Sequence, residues 1–100
     1  PDVLVVGAGL GGLAAALALQ RRGFGVRVYE KAPRLAEVGA GITSHPNLTR
    51  AMERLGLGEG LARVGTQHLK QGVCDLHTLR VMVRNERGPA DRERFGAFQY

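Results

Sequence analysis

Four residues near the start of this chain have the types and spacing to hold a dinucleotide. Gly7, Gly9 and Gly12 form a G-x-G-x-x-G run, and Glu30 stands 18 residues beyond Gly12. Gly7 suits a tight turn out of a strand. Gly9 carries no Cβ, so main chain there can approach a pyrophosphate. Gly12 lets a helix pack closely on the strand. The N–H groups at the start of that helix lack helix partners, and the helix dipole adds partial positive charge beside them. A carboxylate at Glu30 can accept hydrogen bonds from ribose hydroxyls. It also repels a 2′-phosphate, which disfavours NADP at this site. Leu10, inside the loop, and Lys31, next to the acid, join the candidate set.

Such a glycine run is specific only in the right context, and the surrounding elements supply it. Residues 2–6 form an apolar, valine-rich run that predicts a strand. Residues 13–22 predict a helix, with Leu13 and Leu17 one turn apart and Gly23 at its C′ position. Val26, Val28 and Tyr29 predict a second strand that ends at Glu30. Strand, helix and strand in this short span require a parallel crossover, expected to be right-handed.

The fold class is therefore α/β, Rossmann-like, a βαβ unit followed by helices and a β-hairpin. Residues 31–46 read as a loop with prolines at 33 and 46. Asn47 predicts an N-cap for a helix running to about Leu55, with Leu48, Met52 and Leu55 on one stripe. Residues 57–64 predict a shorter helix. Residues 69–76 and 79–84 predict a hairpin turning near His77 and Thr78, and residues 85–93 read as a polar loop. The apolar finish, residues 95–100, reads as the start of another element.

Composition narrows the partners. One hundred residues make one small domain or a piece of a larger one, and the 15 glycines are about twice the usual share. The net charge of +5 is scattered, with no basic run longer than Arg21 and Arg22, and there is no Trp. That argues against nucleic acid. Residues 3–19 are uncharged but hold four glycines and follow an acid, which argues against a leader or a membrane span. The lone Cys74 excludes an intrachain disulfide and fits a reducing, cytoplasmic setting. It reads as a buried structural thiol. No His, Cys and carboxylate group has metal-ligand spacing, and no G-x-S-x-G nucleophile context exists. His45 reads as a plain loop residue, and His68 and His77 as surface groups.

Spacing alone does not separate FAD from NAD. Residues 30–47, EKAPRLAEVGAGITSHPN, resemble the matching stretch of the single-component FAD-dependent aromatic hydroxylases. That family includes salicylate, 3-hydroxybenzoate and 6-hydroxynicotinate monooxygenases. The likeness continues through LTRAMERLGLGEGL at 48–61 and resumes at ERFGAFQY at 93–100. It implies a Rossmann-like FAD domain with an inserted β-sheet substrate domain. By the resemblance, the glycine loop and Glu30 hold the ADP half of FAD, while Arg34 and residues 37–42 run near the ribityl chain and flavin. Independently, Gly39 and Gly41 let main chain lie against a flat ligand, although such a pair also suits an ordinary turn. Arg34 equally suits a solvated loop. Ile42 completes the candidate set.

The resemblance further implies an NADH- or NADPH-dependent monooxygenase that uses O2 to hydroxylate a small, hydroxybenzoate-like aromatic substrate. The Asp-Gly, Gly-Asp and His-Arg-Ala-Asp-Leu segments of the family do not occur here. The chain is thus expected to be an N-terminal portion of such an enzyme and inactive alone. Residues 1–66 belong to the FAD-binding domain and 67–100 start a β-rich segment. Another FAD-dependent oxidase, epoxidase or reductase, or a non-catalytic nucleotide-binding fragment, is the alternative. Catalytic residues are not identified, and a homodimer is left open.

Overall fold

The computed structural model describes residues 2–36, 39 and 41–100. The chain forms two compact units, Pro1–Ala40 and Gly41–Tyr100. The boundary expected at 66/67 falls inside the second unit.

In the first unit, β1 (Asp2–Val6) and β2 (Gly25–Tyr29) pair in parallel, from Asp2 opposite Gly25 to Val6 opposite Tyr29. The helix between them, α1 (Leu10–Gln20), packs on both strands. β1 alternates as a half-covered strand should: Val3 and Val5 are half-buried, while Leu4 and Val6 are exposed. α1 starts three residues earlier than the sequence predicts. Gly9 is extended, and its carbonyl already accepts the Leu13 N–H at 2.9 Å. Gly11 and Gly12 therefore lie inside the helix, where the packing of Gly12 on Gly7 and Val5 overrides their poor propensity. The other end follows expectation. Gly23 adopts φ +87°, its N–H donates to the Gln20 carbonyl, and the Phe24 N–H donates to the Leu19 carbonyl. These are the two bonds of a Schellman motif.

The second unit contains α2 (Pro46–Arg54), α3 (Gly58–Val64), β3 (Lys70–Cys74), β4 (Val81–Glu86) and α4 (Pro89–Phe95). α2 is not capped by Asn47. Pro46 occupies its first turn, and His45 is the N-cap without a side-chain bond. Proline suits that position because its missing N–H would have been unpaired anyway. A buried pair supports the entry: the Ser44 and Thr49 hydroxyls lie 2.9 Å apart.

β3 and β4 pair antiparallel, with an irregularity at Val73/Cys74. The connection spans residues 75–80, wider than a His77-Thr78 turn. The Asp75 carboxylate organises it by accepting the His77 N–H, the Thr78 N–H and the Thr78 hydroxyl. Those bonds, the Thr78 N–H foremost, hold the Asp75 carboxyl below its ordinary range. Two further expectations are corrected. Cys74 is exposed rather than buried, because every residue of β3 is exposed. The polar stretch 85–93 is not loop: β4 runs to Glu86, and Pro89 opens α4. Past α4 the chain returns to its own unit. Ser44 and Tyr100 exchange two main-chain hydrogen bonds, at 2.6 and 3.0 Å, and Ala97 and Gln99 are buried.

Candidate functional site

The first unit brings the glycine loop and Glu30 together at the C-terminal ends of β1 and β2, where open α/β sheets bind ligands. The Gly7 N–H donates to the Tyr29 carbonyl at 2.7 Å, so pairing runs one step beyond the strands. Gly7 then turns the chain at φ +99°, a conformation that a Cβ disfavours. At Gly12 the constraint is contact. An added Cβ would run into the Gly7 carbonyl oxygen and lie 3.5 Å from Val5 Cγ1. Gly9 and Gly11 differ, since a Cβ on either would meet nothing within 4 Å. Their main chain faces open space.

α1 has no side-chain cap and no acid in its first turn. The N–H groups of Leu10, Gly11 and Gly12 precede the first helix bond and have no partner within the helix. Leu10 itself is exposed. The loop thus presents positive partial charge with nothing of its own to satisfy it.

Glu30 connects this loop to the turn after β2. Its Oε2 accepts the Ala8 N–H at 2.7 Å, and its Oε1 accepts the Ala32 N–H at 2.9 Å. The Ala32 bond foremost, then the Ala8 bond, holds the carboxyl below its ordinary value of 4.5. A carboxylate offers about four lone-pair positions, so two main-chain bonds leave room for ribose hydroxyls. Ala8 and Ala32 were not legible as participants. Both contribute only a backbone N–H, which any residue but proline supplies. The available signal was an acid placed directly after a strand that lies beside the glycine turn.

The remaining candidates are less assembled. Lys31 and Arg34 lie in the exposed turn after Glu30, and neither forms an ion pair among the described residues. Gly39 has φ +112° and nothing within 4 Å of a Cβ. Gly41 and Ile42 belong to the second unit, both exposed. Of the stretch 37–42, residues 37, 38 and 40 lie outside the described residues. Among the described residues, no group of three or more His, Cys, Asp or Glu could hold a metal ion. None of their helices is long and apolar enough to cross a membrane.

A parallel β–α–β unit with a glycine turn, an uncapped helix start and an acid directly after the second strand defines a nucleotide-binding unit. The chain belongs to the FAD binding domain family, whose model matches residues 1–93. It is 46% identical over 94 residues to a 3-hydroxybenzoate 6-hydroxylase of Polaromonas naphthalenivorans, covering 94% of this chain and 24% of that protein. It is 47% identical over 66 residues to a 6-hydroxynicotinate 3-monooxygenase of Bordetella bronchiseptica, covering 66% of this chain and 17% of that one. Among solved structures, Klebsiella pneumoniae HpxO complexed with FAD and uric acid aligns at a TM-score of 0.84 and 32% identity. That alignment covers 98% of this chain and 24% of HpxO. The chain spans about a quarter or less of the length of these relatives.

Proposed function

We propose that this chain is the part of an FAD-dependent aromatic monooxygenase that grips the ADP half of FAD. The observation that carries the reading is the Glu30 clamp: one carboxylate bonded to Ala8 of the glycine turn and to Ala32 after β2. The residues fit the cofactor. Gly9 and Gly11 face open space, and the free N–H groups of Leu10, Gly11 and Gly12 suit pyrophosphate oxygens. Glu30 takes the ribose hydroxyls with its remaining lone pairs. Its negative charge rejects a 2′-phosphate, which favours FAD over NADP here. Lys31 and Arg34 add positive charge in the turn after Glu30, and the family resemblance assigns Gly39, Gly41 and Ile42 to the ribityl and flavin side. Bound FAD would supply the redox chemistry, with NADH or NADPH as reductant and O2 as the source of one oxygen atom for the ring and one for water. This chain's residues contribute binding and orientation.

The substrate class we propose is a small hydroxylated aromatic acid, in keeping with the activities named for the two relatives. The setting is the cytoplasm. The test is to purify the full-length protein, measure flavin per chain, and follow NADH and NADPH consumption with a panel of hydroxybenzoates and hydroxynicotinates. A yellow protein with stoichiometric FAD and aromatic-stimulated consumption is expected. A colourless protein that takes up no FAD overturns the reading.

A further inference from the structure

A second cationic feature lies within residues 41–100. A groove of about 810 Å³ runs between the start of α2 and the end of α4. Its walls carry Arg50 from α2, Arg87 from the turn after β4, and Arg94 from α4, with His45, Asn47 and Phe95 beside them. Among the described residues no acid lines it, although the Arg87 of its wall is paired with Asp91.

The three guanidinium groups are differently held. Arg87 is fixed: its Nε and Nη2 donate to Gln71 Oε1 at 3.0 and 2.7 Å, and its Nη1 donates to Asp91 Oδ1 at 3.2 Å. Arg94 lies 5.4 Å from the Phe95 ring centroid, a placement that steadies its plane. Among the described residues neither Arg50 nor Arg94 forms an ion pair. α2 adds to the same sign. Its first turn holds no acid and no side-chain cap, so the Asn47 and Leu48 N–H groups remain free.

We infer that this groove binds the phosphate group of a small molecule. Arginines from three elements line this one groove, two of them unpaired among the described residues, and planar guanidiniums match the geometry of phosphate oxygens. The size is that of a small-ligand site, and the scattered charge elsewhere offers no track for a polymer. Phe95, partly exposed beside the arginines, provides an apolar face for an attached ring. Inorganic phosphate and a nucleoside monophosphate share the recognised chemistry.

Calorimetry on the full-length protein, saturated with FAD to occupy the glycine loop, separates them. The two probes are inorganic phosphate and adenosine 5′-monophosphate. Both are expected to bind the native protein. The double variant Arg50→Gln/Arg94→Gln is expected to weaken both by about tenfold or more, with flavin content and melting temperature unchanged. Arg50→Lys/Arg94→Lys should recover part of that loss. Tighter binding of the monophosphate supports the nucleotide source, and equal binding supports free phosphate. Binding that is absent, or unchanged in the glutamine variant, overturns the inference. Arg50 and Arg94 are not part of the glycine loop, so a protein that takes up no FAD would sink the proposed function while this comparison still decides the groove.

Discussion

The two compact units are held with different emphasis. In residues 1–40 the geometry depends on atoms that are not there. Gly7 turns at φ +99°, Gly12 touches the Gly7 carbonyl through its bare Cα, and Gly23 closes α1 at φ +87°. Residues 41–100 also use glycines of positive φ, at 56, 88 and 96, but depend in addition on partners far apart in sequence. Ser44 pairs with Tyr100, His68 donates to the Gln99 carbonyl, and Arg87 donates to the Leu69 carbonyl. The contrast teaches which changes each unit tolerates. The first should fail when atoms are added, and the second when partners are removed.

The largest expected effect breaks the first unit by addition. Gly12→Val places a branched Cβ against the Gly7 carbonyl, which is backbone and cannot rotate away. We expect destabilisation of about 3 kcal/mol or more and loss of bound flavin, read from absorbance of the purified protein. The neighbouring Gly11→Ala is the control, since its Cβ meets nothing within 4 Å and sits in a helix. It should leave the melting temperature unchanged or raise it. Equal damage from both would show that the loop, and not the contact at Gly12, is the sensitive element.

Removal is the matching test in the second unit. Asp91 is 2% exposed, and Arg87 bonds its Oδ1 while Oδ2 has no partner. Arg87→Met keeps the stem and strands that carboxylate. Removing one member of a buried pair costs several kcal/mol, and the partial exposure of Arg87 reduces this to about 2 kcal/mol. Chemical denaturation reads the loss, and Asp91→Asn added to Arg87→Met should recover part of it. An unchanged midpoint in Arg87→Met would show that Asp91 is stabilised by something other than its arginine.

The same contrast explains what the sequence made legible. β1, β2, the Gly7 turn and the Gly23 stop follow from local rules, because a glycine at a turn announces itself. The start of α1 differs because Gly11 and Gly12 read as loop, whereas the close approach of Gly12 to Gly7 and Val5 carries the helix back through them. α4 was missed for a different reason. Gly88-Pro89 reads as a breaker, yet proline also opens helices. The one buried residue of α4 is Asp91, a charge that apolar periodicity cannot find. Cys74 was misplaced because an apolar run predicts burial, while the hairpin carrying it is exposed throughout. At the site, Glu30 was legible and its partners were not, since the Ala8 and Ala32 bonds are made by backbone.

A smaller effect sharpens the role of Glu30. Glu30→Gln keeps the shape but offers one carbonyl oxygen where two anionic oxygens now serve Ala8 and Ala32. One of those N–H groups must face an amide donor. We expect FAD affinity to fall by about tenfold, measured by fluorescence titration, with little change in melting temperature. The pH dependence has a definite sign. Glu30 is held below its ordinary value of 4.5 in the folded loop. Its contribution is therefore complete above that value and is lost as pH falls through the lower folded value. Flavin release in the native protein should begin only below pH 4.5. Release that tracks a group titrating near neutrality would show that the clamp is not what holds the loop.

The smallest effect tests whether strain outside the glycines has a use. Leu79 is the one described residue other than glycine with a positive φ, at 55°. A left-handed conformation costs a branched side chain about 1 kcal/mol, and Leu79 is 72% exposed, so little packing offsets it. Its main chain is fixed regardless, because the Leu79 N–H donates to the Asp75 carbonyl at 2.9 Å. Leu79→Asn should therefore stabilise the protein by roughly 0.5 kcal/mol, since asparagine tolerates this region. Leu79→Gly should gain less, because glycine loses more freedom on folding. Denaturant midpoints at constant slope would read both. If Leu79→Asn instead destabilises, the exposed leucine makes a contact in the full-length protein, and the hairpin tip, like the glycine loop, is shaped for something that binds it.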